Sequence, residues 1–218
     1  MNAMRVSAVL MAAAMAAPAT AEQVVMVGGQ TNVALDMDLI TSATGLVIES
    51  LSEGVIDPGN LPDSVAFGIT STVAASNPTS FSYDPNQFFE SLSGSIEHRG
   101  SITFGGSTSV EVGNFTISYD PIAGFQVIDN VDLVGLVLFD IALNDTEIES
   151  ATFDAWGDLK ISNEFALTMI ALDLTTVDLT GTDVGDAWIQ GFNQPVPAPA
   201  VGSILAIAAL ATSKRRRR

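Results

Sequence analysis

Short stretches of alternating apolar and polar residues run through the middle of this chain and restrict it to a β-rich fold. Residues 33–40 and 115–119 alternate in this way, and Gly, Asn, Asp or Pro separates most such stretches from the next. Because successive side chains of a strand point to opposite faces, alternation indicates one buried and one exposed face. Residues 134–141 are apolar on both faces until Asp140, which favours a central strand.

Short turn-forming breaks separate the strands predicted over residues 88–98, 101–104, 109–112 and 115–119, and they predict successive hairpins. Residues 163–172 depart from the pattern and predict a short helix with Ser162 as its N-cap. We therefore expect residues 22–194 to form one all-β domain, an antiparallel two-sheet sandwich or jelly-roll-like fold with one short helix.

The N-terminus has the order of a secretory signal peptide. Arg5 is the only charge before Glu22, and an apolar run over residues 6–17 follows it. Ala19 and Ala21 supply the small residues expected before a cleavage site. The apolar run is shorter than the roughly 20 residues that a membrane span needs. We expect residues 1–21 to be removed on export.

The C-terminus has three parts in a fixed order. Residues 195–200 are rich in proline, residues 200–213 are uncharged and mostly apolar, and residues 214–218 form a basic cluster. Proline fixes φ and removes amide donors, so the first part is extended. A basic cluster after an apolar run favours the cytoplasmic side of a membrane. We expect a transmembrane helix over residues 200–213, with the body facing outward.

This tail resembles the PEP-CTERM sorting signal of exosortase-type bacterial systems. Residues 195–218 carry the likeness, and Ala198 stands where the family usually has Glu, as in its VPLPA and VPAP variants. Segments of the body, such as residues 157–162, are similar to exported domains of this class that have no assigned activity. The sorting motif is carried by Val196, Pro197, Pro199, Ala200, Arg215, Arg216, Arg217 and Arg218.

The resemblance implies handling by the secretion machinery and then by an exosortase-like membrane protease. The chain would be anchored transiently in the inner membrane through its tail, with the basic C-terminus in the cytoplasm. The processed body would lie in the cell envelope, on the outer surface or outside the cell, where an extracellular polysaccharide or matrix is a candidate partner.

The body is strongly acidic. All 25 acidic residues lie in it, against Arg99 and Lys160 alone, which gives a formal charge of −23 with histidine neutral. Such a surface repels nucleic acid and anionic lipid, so no nucleic-acid partner is expected. It suits divalent cations, cationic partners or a salty medium. The chain has no cysteine, which excludes disulfides, thiol catalysis and cysteine-ligated zinc.

Candidate catalytic groups are few. His98 is the only histidine, and no Gly-x-Ser-x-Gly motif accompanies it. We interpret it as structural, with a cofactor ligand as the weaker alternative. A glycosidase needs two carboxylates at a set separation, and Glu90, Glu97, Glu111, Glu147 and Glu149 are each interpreted as solvated strand positions. No catalytic residue is assigned, and we expect that the protein is not an enzyme.

Calcium and sugar binding stay open as alternatives. Loop Asp and Asn oxygens are the ligands that Ca²⁺ prefers, and the best candidates are Asp129 with Asp132 and Asp183 with Asp186. None matches a complete calcium-loop motif, and no other cofactor is expected. Trp156 and Trp188 could stack on sugars, although packing in the core is the favoured interpretation.

These observations give three functional hypotheses. The first is an exported surface or extracellular-matrix protein, sorted through its tail. The second is a carbohydrate- or calcium-binding β-sandwich, and an exported hydrolase is the third and weakest. The tail indicates where the protein is sent and not what it does, so it is compatible with all three hypotheses.

Overall fold

A computed structural model describes residues 23–71 and 77–196. The predicted signal peptide and nearly all of the predicted sorting tail, including its expected transmembrane helix, lie outside the described residues. Within the described part of the chain, no helix is long and apolar enough to cross a membrane. The strands are β1 (Val24–Leu35), β2 (Val47–Leu51), β3 (Val55–Ile56), β4 (Val65–Ile69), β5 (Ser82–Tyr83), β6 (Ser95–Arg99), β7 (Ser101–Gly105), β8 (Val110–Gly113), β9 (Thr116–Asp120), β10 (Gly124–Ile128), β11 (Val137–Ile148), β12 (Thr152–Ile161) and β13 (Asp183–Pro195), and the helices are α1 (Met37–Thr44), α2 (Phe88–Ser91) and α3 (Asn163–Ala171).

Eight antiparallel strands close into a barrel in the order β4-β6-β9-β10-β11-β12-β13-β1, and β1 pairs back onto β4. The closing register runs from Gly29 opposite Ile69 to Val33 opposite Val65. The short strand β3 adds to β4, and β5 adds to the start of β1. Closure pairs both edges of every strand in the ring along at least part of its length, which protects a β-rich chain from pairing with other chains.

The all-β class and the antiparallel pairing are confirmed, but the predicted two-sheet sandwich or jelly roll is wrong. Alternation of inward and outward residues is the same in a sandwich and in a barrel, so the pattern did not separate them. Closure depends on the long strand β1, which pairs with β13 along one edge and with β4 and β5 along the other. Gly29 in this strand has φ +134°, and a Cβ there would clash with the backbone of Gln190 on β13.

A second, three-stranded antiparallel sheet has the order β2-β7-β8. Ile102, Phe104, Val110 and Val112 from this sheet are buried and join the same hydrophobic core as the barrel strands. Together with α1 and α3, this sheet packs over one end of the barrel interior.

Two helices lie where strands were predicted, and the one predicted helix is present. Residues 37–40 were predicted as strand, but they begin α1, whose N-terminus is capped by the Asp36 carboxylate at 2.9 Å from the Leu39 amide. The strand predicted over residues 88–98 is short, because α2 occupies its first part. The helix predicted after Ser162 is confirmed as α3, and the Ser162 hydroxyl accepts a hydrogen bond from the Phe165 amide at 3.0 Å.

The barrel core has two unlike ends. At one of them, which we call the aromatic end, neighbouring rings lie 5.1–6.2 Å apart between centroids in tilted and edge-on contacts. These contacts are typical of well-packed aromatic cores. At the other, the cavity end, aliphatic side chains predominate. The aromatic end consists of Phe81, Tyr83, Phe88, Phe125 and Phe153.

Candidate functional site

An apolar cavity of about 100 Å³ lies inside the cavity end of the barrel. Its walls come from all eight strands of the barrel, and its cover comes from α1, α3 and strands β7 and β8. No polar atom of the lining residues presents free surface to it. Apolar cavities of this kind stay dry and take up small apolar molecules.

The inward-facing residues explain why the cavity lies at this end. An eight-stranded barrel has an interior just wide enough to be filled by side chains or to hold one small ligand. Phenylalanine rings fill the aromatic end. At the cavity end the inward positions hold aliphatic residues such as Ile117, Val127, Ile141 and Val184, which reach less far toward the barrel axis. The cavity is therefore a consequence of side-chain size along the alternating strands.

His98 contributes the imidazole ring of the cavity wall, from strand β6, and is 4% exposed. Its Nδ1 lies 2.9 Å from the carbonyl oxygen of Phe115, and its Nε2 lies 2.7 Å from the hydroxyl of Thr31. Because a carbonyl oxygen can only accept, Nδ1 carries the proton, and Nε2 accepts from the Thr31 hydroxyl. Both ring nitrogens therefore have partners within the barrel, and the ring links strand β6 to strand β1 and to the residue before β9.

Burial sets the charge state of this histidine. Loss of solvent lowers the pKa of His98 from 6.5 to about 4, while the hydrogen bond to Phe115 acts in the opposite direction and is the weaker influence. The ring is therefore neutral at neutral pH, and the cavity end carries no charged histidine. Sequence reasoning could not find the Thr31 partner, because 67 positions separate the two residues.

The first pair of calcium candidates, Asp129 and Asp132, accepts hydrogen bonds from backbone amides of its loop and of strand β8. Asp129 is fully buried, and its two carboxylate oxygens accept from the amides of Gly113, Val131 and Leu133 at 2.6, 3.1 and 2.7 Å. Asp132 accepts from the amide of Glu111 at 2.8 Å. These carboxylates tie the loop before β11 to strand β8.

The second pair lies on the outer face of strand β13. The Lys160 ammonium group lies 3.5 Å from the carboxylate of Asp183 and 3.5 Å from that of Asp158. Asp183 and Asp158 therefore share one cation. Asp186 is exposed, and no hydrogen bond or ion pair reaches its carboxylate from the described residues. Among residues 23–71 and 77–196, no three His, Cys, Asp or Glu side chains are grouped so as to hold a metal ion.

Glu97 was predicted to be a solvated strand position, and this is wrong because it is 5% exposed. Its carboxylate accepts from Ser95 and Asn77 at 2.6 Å each and from Thr116 at 2.7 Å. Three hydrogen bonds offset the cost of burying the charge. The side chain thereby ties residue 77 to strands β6 and β9.

Trp156 and Trp188 pair with each other on the outer face of the barrel. They lie opposite one another on β12 and β13, with ring centroids 5.4 Å apart and planes 19° apart. The indole N–H of Trp188 donates to Asp154 at 3.1 Å. The prediction that these rings pack in the core is wrong. The correct signal was the parity of β12, since Trp156 shares its face with Asp154, Asp158 and Lys160.

A groove of about 330 Å³ runs beside Trp156, and we call it the tryptophan groove. Two of its lining residues, Gly157 of β12 and Ala187 of β13, are buried strand positions. The side chains around it come from β1, β11, β12 and β13 and from the loop between β3 and β4. The groove is lined by Ala34, Leu61, Pro62, Asn144, Trp156, Gly157, Asp186 and Ala187.

The residues predicted to direct sorting and cleavage lie almost wholly outside the described residues. Val196 is the last described position, and it is 42% exposed at the end of the barrel's final strand. Its amide donates to the carbonyl of Gln23 at 2.8 Å, so the chain leaves the barrel beside its first described residue.

No protein-family model matches this chain, and no curated protein matches it either. Among solved structures, the fold is similar to the C-terminal domain of HtaA from Corynebacterium glutamicum, with a TM-score of 0.52 and 13% sequence identity. The likeness covers 78% of this chain and 99% of that domain. At this level of identity the likeness is one of fold.

Proposed function

We propose that this protein is an exported component of the cell envelope whose barrel binds a small apolar molecule at the cavity end. The observation that carries the proposal is the apolar cavity of about 100 Å³ inside a closed barrel. Protein interiors are ordinarily packed with few voids larger than a water molecule, so a cavity of this size is exceptional in a core. It supports a binding role for the barrel interior.

The size of the cavity limits the ligand. An engineered cavity of about 150 Å³ lined by aliphatic and aromatic side chains accepts benzene or xenon. Pockets for drug-sized ligands begin at about 300 Å³. A cavity of about 100 Å³ therefore suits a molecule smaller than a drug, or the apolar end of a longer one. Hydrophobic burial supplies the binding free energy, because no free polar surface lines the space.

The proposed cellular location is based on the two ends of the chain. The signal peptide at residues 1–21 supports export, and the tail at residues 195–218 supports sorting by an exosortase-like protease. The strongly acidic body suits a medium in which salt screens its charge. Intact mass of protein recovered from the producing cells tests this part. A chain that begins at Glu22 and lacks the basic cluster supports it, and a membrane-held chain that ends at Arg218 refutes sorting.

We propose a binding role rather than catalysis. Burial lowers the pKa of the single histidine to about 4, so its ring is a weak base, and the Thr31 hydroxyl that donates to it is only 4% exposed. The buried carboxylates of Asp129 and Glu97 are each held by three hydrogen bonds that position loops.

Thermal unfolding with benzene as the probe tests cavity binding. A ligand at ten times its Kd stabilises the folded state by about 1.4 kcal/mol, which raises Tm by about 3–5 °C for a domain of this size. We expect this rise for the wild type. In the Val112→Phe variant the larger ring would occupy part of the cavity, so benzene should no longer raise the Tm.

Val134→Phe is the matched control, since it makes the same chemical change at a position that is 72% exposed. This variant should respond to benzene as the wild type does. Equal Tm values with and without benzene in the wild type would refute the proposal. An undiminished benzene response in a folded Val112→Phe variant would place binding elsewhere and would refute it as well.

A further inference from the structure

We propose that the tryptophan groove is a second binding site, separate from the barrel interior, and that it takes an alkylammonium cation between the ring of Trp156 and the carboxylate of Asp186. Both groups line the groove of about 330 Å³ on the outer face of β12 and β13. The cation would be a small organic one, such as a methylated amine.

The charges around the groove favour a cation. Asp158 accepts from Asn144 at 2.5 Å and pairs with Lys160, which also pairs with Asp183. Asp186 projects from the same face of the sheet, and within the described residues it has no hydrogen-bond or ion-pair partner. One carboxylate of the groove is therefore left without a countercharge, in a body that carries a formal charge of −23.

The aromatic side of the groove is held in place. Trp156 stacks against Trp188, and the indole N–H of Trp188 is fixed by Asp154. A ring held in this way loses little conformational freedom when a ligand arrives. A tryptophan face attracts cations through its quadrupole more strongly than other aromatic rings do. Trp156 and Asp186 thus offer the two attractive surfaces that recognition of an alkylammonium group uses.

The remaining walls distinguish this ligand from a sugar. Ala34, Leu61 and Pro62 are apolar, and they suit the methyl or methylene groups of an alkylammonium ion. A pyranose carries a hydroxyl on most of its carbons and needs several polar partners. The side-chain N–H of Asn144 already donates to Asp158, which leaves few such partners in the groove.

Tryptophan fluorescence reports on this groove selectively, because Trp156 and Trp188 are the only two tryptophans of the chain. Tetramethylammonium chloride is titrated into the protein, with sodium chloride at the same concentrations to control for ionic strength and glucose as the sugar probe. We expect a saturable fluorescence change with tetramethylammonium alone.

Three variants locate the effect. Asp186→Asn removes the unpaired charge from an exposed position and should weaken binding by about tenfold. Asp173→Asn makes the same change at an exposed site after α3, at a backbone conformation that Asn tolerates, and should bind as the wild type does. Trp156→Phe should bind more weakly because phenylalanine attracts cations less, and Trp188 still reports the change.

Three results would overturn the proposal. The first is an equal change with sodium and tetramethylammonium, which would be a screening effect. The second is a saturable response to glucose without one to tetramethylammonium, which would make the groove a sugar site. The third is an Asp186→Asn variant that binds tetramethylammonium as tightly as the wild type. None of these results depends on whether the barrel interior binds an apolar molecule.

Discussion

The buried histidine makes a specific prediction about pH. In the folded protein the pKa of His98 is lowered to about 4, chiefly because the ring is buried, whereas in the unfolded chain it is about 6.5. Between these values the unfolded chain binds a proton that the folded protein does not. The stabilising contribution of the neutral ring is therefore fully present above pH 6.5 and is lost as the pH falls toward 4.

The magnitude follows from those two pKa values. From pH 7.5 to pH 5 the free energy of unfolding should fall by about 2 kcal/mol through this group alone. Because His98 is the only histidine of the chain, no other side chain with an ordinary pKa titrates in most of this window. Most carboxylates take up protons at lower pH, so the effect separates from general acid unfolding.

Urea unfolding at pH 7.5, 6 and 5 measures the loss. His98→Gln is the control, because glutamine offers both a donor and an acceptor without titrating. Its stability should be lower at pH 7.5, yet nearly constant down to pH 5. A wild type whose unfolding free energy is constant across this range would refute the reasoning, and so would a His98→Gln variant with the same slope as the wild type.

Three further changes test the packing. Asp129→Ala leaves three backbone amides without their acceptor, and we expect a loss of about 3–5 kcal/mol of unfolding free energy in urea titration. Ser162→Ala removes the N-cap of α3 and should cost about 1 kcal/mol by the same measurement. Phe153→Ala opens the fully buried aromatic end and should cost about 3–5 kcal/mol, seen as a lower Tm. A loss under about 0.5 kcal/mol in any of the three would contradict the role given to that residue.

Local patterns in the sequence were enough to predict most strands and one helix. The parity of β12 separates buried Phe153, Ala155 and Leu159 from outward Asp154 and Trp156. That information was present in the sequence, and it would have placed Trp156 on the surface. The Ser162 cap was identified correctly because capping is a local hydrogen bond between residues close in the chain.

The features that the sequence did not predict depend mostly on contacts between residues far apart in the chain. Val33 and Leu35 continue into Met37 and Leu39 with strand-like alternation, yet Asp36 caps a helix at that point. The closure of the ring depends on β1 meeting β4, which no local pattern encodes. The cavity depends on which aliphatic residues face one another across the barrel, and the Thr31–His98 bond joins distant strands.

A crystal of the protein pressurised with xenon tests the central claim most directly. Xenon enters apolar cavities and scatters strongly, so its position is read from the density without a label. We expect a xenon atom inside the cavity end of the barrel, within contact of Val112 and Val184. Density for xenon only at surface positions, with the barrel interior filled by side chains, would contradict a binding role for the barrel.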